Sequence, residues 1–333
     1  MDTPKKNKPK LVISKTPLRI TFVGGGTDIP AYYRNYGSGV SIAASINKYV
    51  YIWVHKRFDD DIRIAYTKTE MVKSVEEIEH PTVREALKLL KITGGIEIAS
   101  MADIPSGTGL GSSSAFLVGV LNSLHTFKGD KFDSLQIAKE AVKIEREILK
   151  EPGGKQDQYI AALGGFQFME FKKDETVENT EIKFNVITRN KIHDHLLLFY
   201  TGTQKPNTNV HTKMANSVDK NLIAYNKMTE LGYALFKEFK SNKINNIGTY
   251  LNQNWLLKKK THGLHNTKID DYYKRAKEAG AIGGKILGAG DRGFLLLFAP
   301  PEKHSSIIKA LSELKYEPFG FSSEGTKIIY KEE

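Results

Sequence analysis

The sequence predicts an α+β protein of two domains. The chain has 333 residues, 40% of them apolar and 26% charged, which suits two domains with ordinary globular cores. Alternating, β-branched segments crowd its first third, where they lead into a glycine-rich loop and an apolar helix. From residue 208 onward the pattern turns mostly helical and closes on strands around a second glycine loop. These observations divide the chain into a basic arm at 1–10, a first domain at 11–200 and a second at 201–333.

The arm, MDTPKKNKPK, sets Lys5, Lys6, Lys8 and Lys10 against Asp2, and lacks the apolar core and cleavage site of a secretory signal. Residues 11–23 (LVISKTPLRITFV) predict strand broken at Pro17, and Gly24-Gly25-Gly26 stops it. Residues 40–56 predict one or two more strands, with shorter ones at 62–67 and 96–101. A glycine loop then feeds a helix of about four turns. Residues 133–150 predict a second helix, capped by Asp133, with Ile137, Ala141, Ile144 and Ile148 on one face. Glu151-Pro152-Gly153-Gly154 ends it. A short helix at 156–163, a strand at 166–172 and a polar surface turn at 173–183 come next. The second domain reads as helices at 208–218, 220–240, 244–259 and 267–279. Strand 283–287, a glycine loop, strand 293–299, helix 302–312 and strand 325–331 complete it.

The formal charge is +11, from 49 Lys and Arg against 38 Asp and Glu. Apart from Lys258-Lys259-Lys260 it forms no dense block, and no helix-turn-helix, zinc-finger or RNP-type signature accompanies it. Such an excess also suits an enzyme whose substrates are anionic. With no cysteine, disulfide scaffolds, thiolate metal sites and cysteine nucleophiles are excluded. No apolar run approaches the ~18–20 residues of a membrane span. The expectation is a cytoplasmic protein with neither nucleic acid nor membrane as partner; monomer and homodimer are both open. His193-Asp194-His195 and His262-Gly263-Leu264-His265 lack a third metal ligand and read as loop or helix-end histidines. Tyr32, Tyr33 and Tyr36 read as packing or rim residues, Trp255 as core, and Lys258 to Lys260 as a solvated face.

Chemistry concentrates in Pro105-Ser106-Gly107-Thr108-Gly109-Leu110-Gly111-Ser112-Ser113-Ser114-Ala115. Alternate glycines let the backbone curl so that successive N–H groups face one point, and the helix after them adds its free N–H groups and dipole. That is an anion cradle. The hydroxyls at 112–114 can donate to an anion or ligate Mg²⁺. The Walker pattern and its lysine are absent. Glu145 on the second helix and Asp157 just past the Pro-Gly-Gly break can fold back to one place. Phosphoryl transfer needs one carboxylate for the metal and often another beside the attacking hydroxyl.

The stretch P-x-x-x-G-L-G-S-S-S-A resembles the second motif of the GHMP kinases, the galacto-, homoserine, mevalonate and phosphomevalonate kinases. Pro17-Leu18-Arg19-Ile20 with Gly24-Gly25-Gly26-Thr27-Asp28 resembles their first motif, and Lys285-Ile286-Leu287-Gly288-Ala289-Gly290 their third. The three occur in order and span the chain beyond the arm. The resemblance implies a first domain similar to the second domain of ribosomal protein S5 and a ferredoxin-like second domain, with ATP over the glycine-serine loop. Gly-Gly-x-Gln-Asp-Gln-Tyr, ending at Tyr159, points to the sugar-kinase branch. Gly-Gly-Gly-Thr-Asp-Ile-Pro and Asn-x-Asn-Trp-Leu-Leu-Lys-Lys-Lys most resemble bacterial kinases of D-glycero-D-manno-heptose 7-phosphate. Those phosphorylate the anomeric hydroxyl on the way to GDP-heptose for surface polysaccharides.

On this resemblance ATP and Mg²⁺ are expected, with a sugar phosphate as acceptor. Residues 105–114 would hold the ATP phosphates, and Ser113 with Glu145 the metal; Glu147 and Glu151 compete with Glu145. Asp157 would orient or deprotonate the sugar hydroxyl. Arg19, a charge among apolar strand residues, needs a partner, either Asp28 internally or the catalytic Asp as the resemblance implies. Gly25, Gly26, Thr27 and Asp28 would read sugar hydroxyls, although Asp28 could equally cap the segment Ile29–Tyr33. Gly154, Gly288 and Gly290 would approach the sugar. Asp291-Arg292-Gly293 departs from the family's further glycines, so Arg292 with Lys155 is expected to meet a phosphate already on the substrate, unless Arg292 pairs with Asp291 at the surface. The alternatives are an L-fucokinase-like or galactokinase-like enzyme of an unphosphorylated sugar, a silent sugar sensor, or an RNA-binding protein.

Overall fold

The computed structural model describes residues 9–202 and 214–333, so the helix expected at 208–218 falls partly outside the described residues. In chain order the first half contains β1 (Leu11–Val23), α1 (Pro30–Tyr36), β2 (Gly39–Lys56), β3 (Ile62–Ala65), β4 (Thr69–Val72), α2 (Pro81–Leu89) and β5 (Ile96–Ala102). It continues with α3 (Ser112–Lys128), α4 (Ser134–Val142), α5 (Gln156–Leu163), β6 (Phe166–Phe171), β7 (Val177–Glu181), α6 (Val186–Asp194) and β8 (Leu196–Gly202). Then come α7 (Leu222–Lys240), α8 (Ile247–His262), α9 (Thr267–Glu278), β9 (Gly283–Ile286), β10 (Gly293–Phe298), α10 (His304–Ala310), β11 (Lys315–Tyr316) and β12 (Lys327–Glu332). The α+β class is as expected.

An eight-stranded sheet runs β12-β1-β2-β5-β3-β4, with β6 and β7 extending from β2; only β3 and β5 pair in parallel. β2 is one strand of 18 residues serving two partners on one edge, β6 along residues 39–44 and β5 along 50–56. Pro17 does not break β1. The pairing with β2 jumps from Tyr49 at Pro17 to Ile46 at Leu18, so the proline is absorbed as a register shift. The other sheet is four-stranded and antiparallel, in order β11-β8-β10-β9.

These pairings depart from a division at residue 200. β8 belongs to the second sheet, whereas β12 returns to pair with β1. Alternation along β8 feeds two cores: Leu197 and Phe199 pack with Trp255 and Ile286, while Leu196 and Leu198 join the larger core of the first sheet. That larger core also takes Leu235 and Phe239 of α7, so both halves share one apolar interior.

Asp133 caps α4 as expected, accepting from Gln136 N at 2.7 Å. The helix does not run regularly to 150. Residues Lys143–Ile148 form a π-helical turn, whose extra residue per turn shifts the facing of the side chains beyond it. Ile148 therefore faces solvent rather than joining Ile137, Ala141 and Ile144, whereas Glu145, four residues after Ala141, stays on the buried face. The polar stretch 173–183 contains β7 rather than turn alone. No helix among the described residues is long and apolar enough to cross a membrane.

Candidate active site

The glycine loop lies at the crossing of the two halves. Gly111 is left-handed and α3 starts at Ser112 with no side-chain cap, leaving its first amides available to a ligand. Arg19 N donates to Leu110 O at 3.0 Å and its Nη1 to Gly109 O at 2.5 Å, tying the loop to β1. From the other half, Gly288 (φ +68°) passes so close that a Cβ there would overlap Gly109 Cα, and a Cβ on Gly109 would lie 2.7 Å from Leu287 O. Both loops must be glycine where they meet. A cleft of about 210 Å³ opens beside them, lined by Gly107, Gly109, Gly111, Ser112 and Ser113 together with Gly288. Pro105 and Ser106, with Ser112 and Ser113, also line an adjoining cavity of about 480 Å³ walled by Val50, His80 and Phe116.

Asp157 enters the cleft from the first turn of α5. Arg19 grips it bidentately, Nε to Oδ1 at 2.9 Å and Nη2 to Oδ2 at 2.8 Å. Arg19's partner is therefore Asp157 and not Asp28. Asp28 also faces the cleft, 3% exposed, accepting from Gly26 N (3.1 Å) and Gln156 N (3.3 Å). It does not cap α1, whose N-cap is Ile29. Gly154 lies directly against it, leaving no room for a Cβ. Burial, and then the charge of Asp157, raise the pKa of Asp28 above the usual carboxylate value.

Glu145 is 1% exposed, and burial raises its pKa. It accepts from Ser114 Oγ at 2.9 Å, from Gln158 Nε2, and from Arg146 Nη2 at 3.4 Å. Ser114, not Ser113, is thus its hydroxyl partner, while Ser113 lines the cleft. Beside it Gln158 Oε1 is buried without a hydrogen bond among the described residues. A buried carboxylate, neighbouring hydroxyls and an orphaned amide oxygen are hard oxygen donors, a set that fits Mg²⁺.

The family model for the GHMP kinases N terminal domain matches residues 64–165, and that for the GHMP kinases C terminal matches 235–317. A relative from Campylobacter jejuni, D-glycero-alpha-D-manno-heptose 7-phosphate kinase, is 30% identical over 96% of this chain and 98% of its own. The chain belongs to the GHMP kinase family. Mevalonate kinase from Pyrococcus furiosus is 28% identical over 79% of this chain and 78% of its own. The crystal structure of a D-glycero-D-manno-heptose 1-phosphate kinase from Bacteroides thetaiotaomicron superposes with a TM-score of 0.80 at 24% identity, covering 96% of this chain and 99% of the other. As a GHMP kinase, the protein uses ATP.

In this GHMP kinase several residues stand away from the expected cleft positions. Thr27 is fully buried, its hydroxyl donating to Val40 O at 2.7 Å and accepting from Val40 N, so it closes a strand rather than reading sugar. Lys155 turns aside to Glu175, with Nζ 2.5 Å from its Oε2. Against a desolvation that raises it, bonds from Arg34, Lys155 and Tyr33 hold the Glu175 pKa down at about 2. Arg292 is exposed and outside the cleft lining. Gly26 faces the His262 ring, and Gly290 packs on Leu264 and Trp255. Thr108 and Leu110 are buried within the loop, Thr108 donating to Pro105 O at 3.1 Å.

Other site residues were not legible as such. Arg146 lines the cleft and braces its rim, donating to Gly154 O (2.9 Å) and Glu151 O (3.0 Å). Gln156 joins β1 and β2 through Thr21 (3.3 Å) and Ser41 (2.6 Å). Lys258, expected in solvent, is buried with Nζ on Gly288 O. Its helical spacing from Leu251 and Trp255 was the available signal. Lys285 is buried beside it, donating to Asn254 Oδ1 at 2.6 Å. Of the histidines, His262 ends α8 and lines the cleft, whereas His193 bonds Phe319 O at 2.7 Å.

Proposed function

We propose that this GHMP kinase transfers the γ-phosphoryl of ATP to the anomeric hydroxyl of D-glycero-D-manno-heptose 7-phosphate. The product would be the 1,7-bisphosphate, a precursor of GDP-heptose for surface polysaccharide. The observation that carries the kinase chemistry is the Arg19–Asp157 fork set beneath the glycine loop, with Asp28 in the same cleft lining. The relative from Campylobacter jejuni, matched over almost its whole length, supports heptose 7-phosphate as the acceptor.

The geometry supports the following roles. Loop amides at 107–113 hold the ATP phosphates, and the adjoining cavity offers Val50 and Phe116 as apolar walls for the base. Ser113 and Glu145 would hold Mg²⁺, which supplies charge neutralisation on the phosphates. Asp157 accepts the proton of the attacking hydroxyl, and a single carboxylate suffices because an anomeric hydroxyl is more acidic than an ordinary alcohol. Arg19 fixes the direction of that carboxylate and places positive charge by the reacting phosphoryl. Asp28, a two-oxygen acceptor, reads the sugar diol.

A second reading, an unphosphorylated sugar as acceptor, is favoured by the placement of Lys155 on Glu175 and of Arg292 outside the cleft lining. ADP release with ATP and Mg²⁺ separates the two. Heptose 7-phosphate should turn over far faster than L-fucose, galactose or mevalonate. Preference for L-fucose or galactose would establish the second reading, and turnover of mevalonate alone would contradict both.

A further inference from the structure

Lys258 holds a position that the catalytic pair does not explain. It comes from α8 of the second half yet is 2% exposed, and its Nζ donates to Gly288 O of the cleft wall. Across from it lies the first-motif loop: a Cβ on Gly25 would sit 3.9 Å from that Nζ. The ammonium thus stands behind the seam where two cleft-lining loops, one from each half, come together.

Charges of both signs surround it. Arg19 on β1 repels Lys258, whereas Asp28 on the first loop and Asp157 on α5 attract it. The other basic group packed against it is Lys285 on β9, whose pKa burial and then Lys258 push well below the usual value. On α8 itself His262 bonds Thr261 at 2.8 Å. Arg19 and Lys258, with Arg146 acting on Asp28 from the cleft rim, therefore face two carboxylates. Arg19 is committed to Asp157 by its fork, so Lys258 shares with Arg146 the offset of Asp28.

We propose that Lys258 is a positioning residue of the acceptor site, its ammonium bracing the Gly25 and Gly288 loops and balancing the Asp28–Asp157 carboxylate pair. The proposal rests on the sugar-kinase reading and adds to it a residue that touches neither reactant. Burial and Arg19 bring the pKa of Lys258 down to about 8, so its charge is lost within an accessible pH range.

Lys258→Met and Lys258→Arg test it, with the sugar that the wild type phosphorylates best, by kcat and KM across pH. Wild-type kcat/KM for the sugar should fall above pH 8. Lys258→Arg, which keeps its charge, should lose that alkaline limb while retaining the acid limb. Lys258→Met should raise KM for the sugar roughly tenfold or more, leave KM for ATP within about threefold, and move the acid limb up by roughly one pH unit. An alkaline limb unchanged in Lys258→Arg overturns the proposal, and that variant decides alone if Lys258→Met does not fold. A Lys258→Met enzyme with lower kcat but unchanged sugar KM and pH profile also overturns it. A wild type that phosphorylates no sugar sinks the sugar-kinase reading and this inference with it, whereas normal turnover with unaltered limbs sinks this inference alone.

Discussion

Arg19→Lys tests whether the fork, rather than the positive charge, is what the site requires. Arg19 makes two parallel bonds to Asp157, at 2.9 and 2.8 Å, and a third to Gly109 O at 2.5 Å. Lysine keeps the charge but is a point donor on a flexible stem, and cannot hold both carboxylate oxygens and the loop carbonyl together. Asp157 is 23% exposed at its side chain and Arg19 only 5%, so water compensates poorly for what is lost. Each hydrogen bond to a charged group is worth about 1.5–3 kcal/mol; losing the equivalent of one strong bond, about 3 kcal/mol, lowers kcat roughly 100-fold. KM for ATP should change little, because the bond from Arg19 N to Leu110 O belongs to the backbone and survives. Steady-state ADP release, with thermal unfolding as the folding control, measures both. A folded Arg19→Lys enzyme with kcat within about threefold of wild type would refute the reasoning.

Other perturbations probe the loops, the metal donors and the scaffold. Gly288→Ala places a Cβ into Gly109 Cα at a positive φ, so kcat should fall roughly 10- to 100-fold as the loops part, measured beside a melting curve. Glu145→Gln keeps shape and removes charge; the Mg²⁺ concentration for half-maximal activity should rise roughly tenfold or more, with sugar KM unchanged. His125 sets both ring nitrogens on carboxylates, Nδ1 to Asp130 at 2.9 Å and Nε2 to Glu140 at 2.7 Å. Against a desolvation that lowers its pKa, those bonds raise it, so the folded state prefers imidazolium. The stabilisation is complete below the ordinary histidine pKa of about 6.5 and fades as pH rises through the elevated one. Denaturant unfolding of His125→Gln should show a deficit of about 1–2 kcal/mol at low pH that shrinks with rising pH; a pH-independent deficit would contradict it.

Much of this was legible in the chain. Helix α5 and the paired strands β9 and β10 were marked by glycines on either side, and Asp133 announced the start of α4. Local pattern could not reveal the π turn at Lys143–Ile148, beyond which Ile148 is exposed. Helix α2 carries a start signal, Pro81 at its first turn, but is short enough to pass as loop. Among site residues, those set by local sequence were readable: glycines curling along the cleft, and an Asp after a Pro-Gly-Gly break. Those fixed by distant partners were not. Lys155 reaches Glu175 and Thr27 reaches Val40 only because the hairpin and sheet bring them there. Lys258 was hidden by its neighbours Lys259 and Lys260, whose charge suggested solvent.

The most direct test of the account is where the phosphate goes. Phosphorus NMR of the product from ATP, Mg²⁺ and D-glycero-D-manno-heptose 7-phosphate should show a new phosphate coupled to the anomeric proton. Asp157→Asn should slow its formation roughly 10²- to 10⁴-fold. A phosphate on any other carbon, or an Asp157→Asn enzyme of undiminished rate, would contradict the claim that Asp157 and Arg19 activate an anomeric hydroxyl beneath the glycine loop.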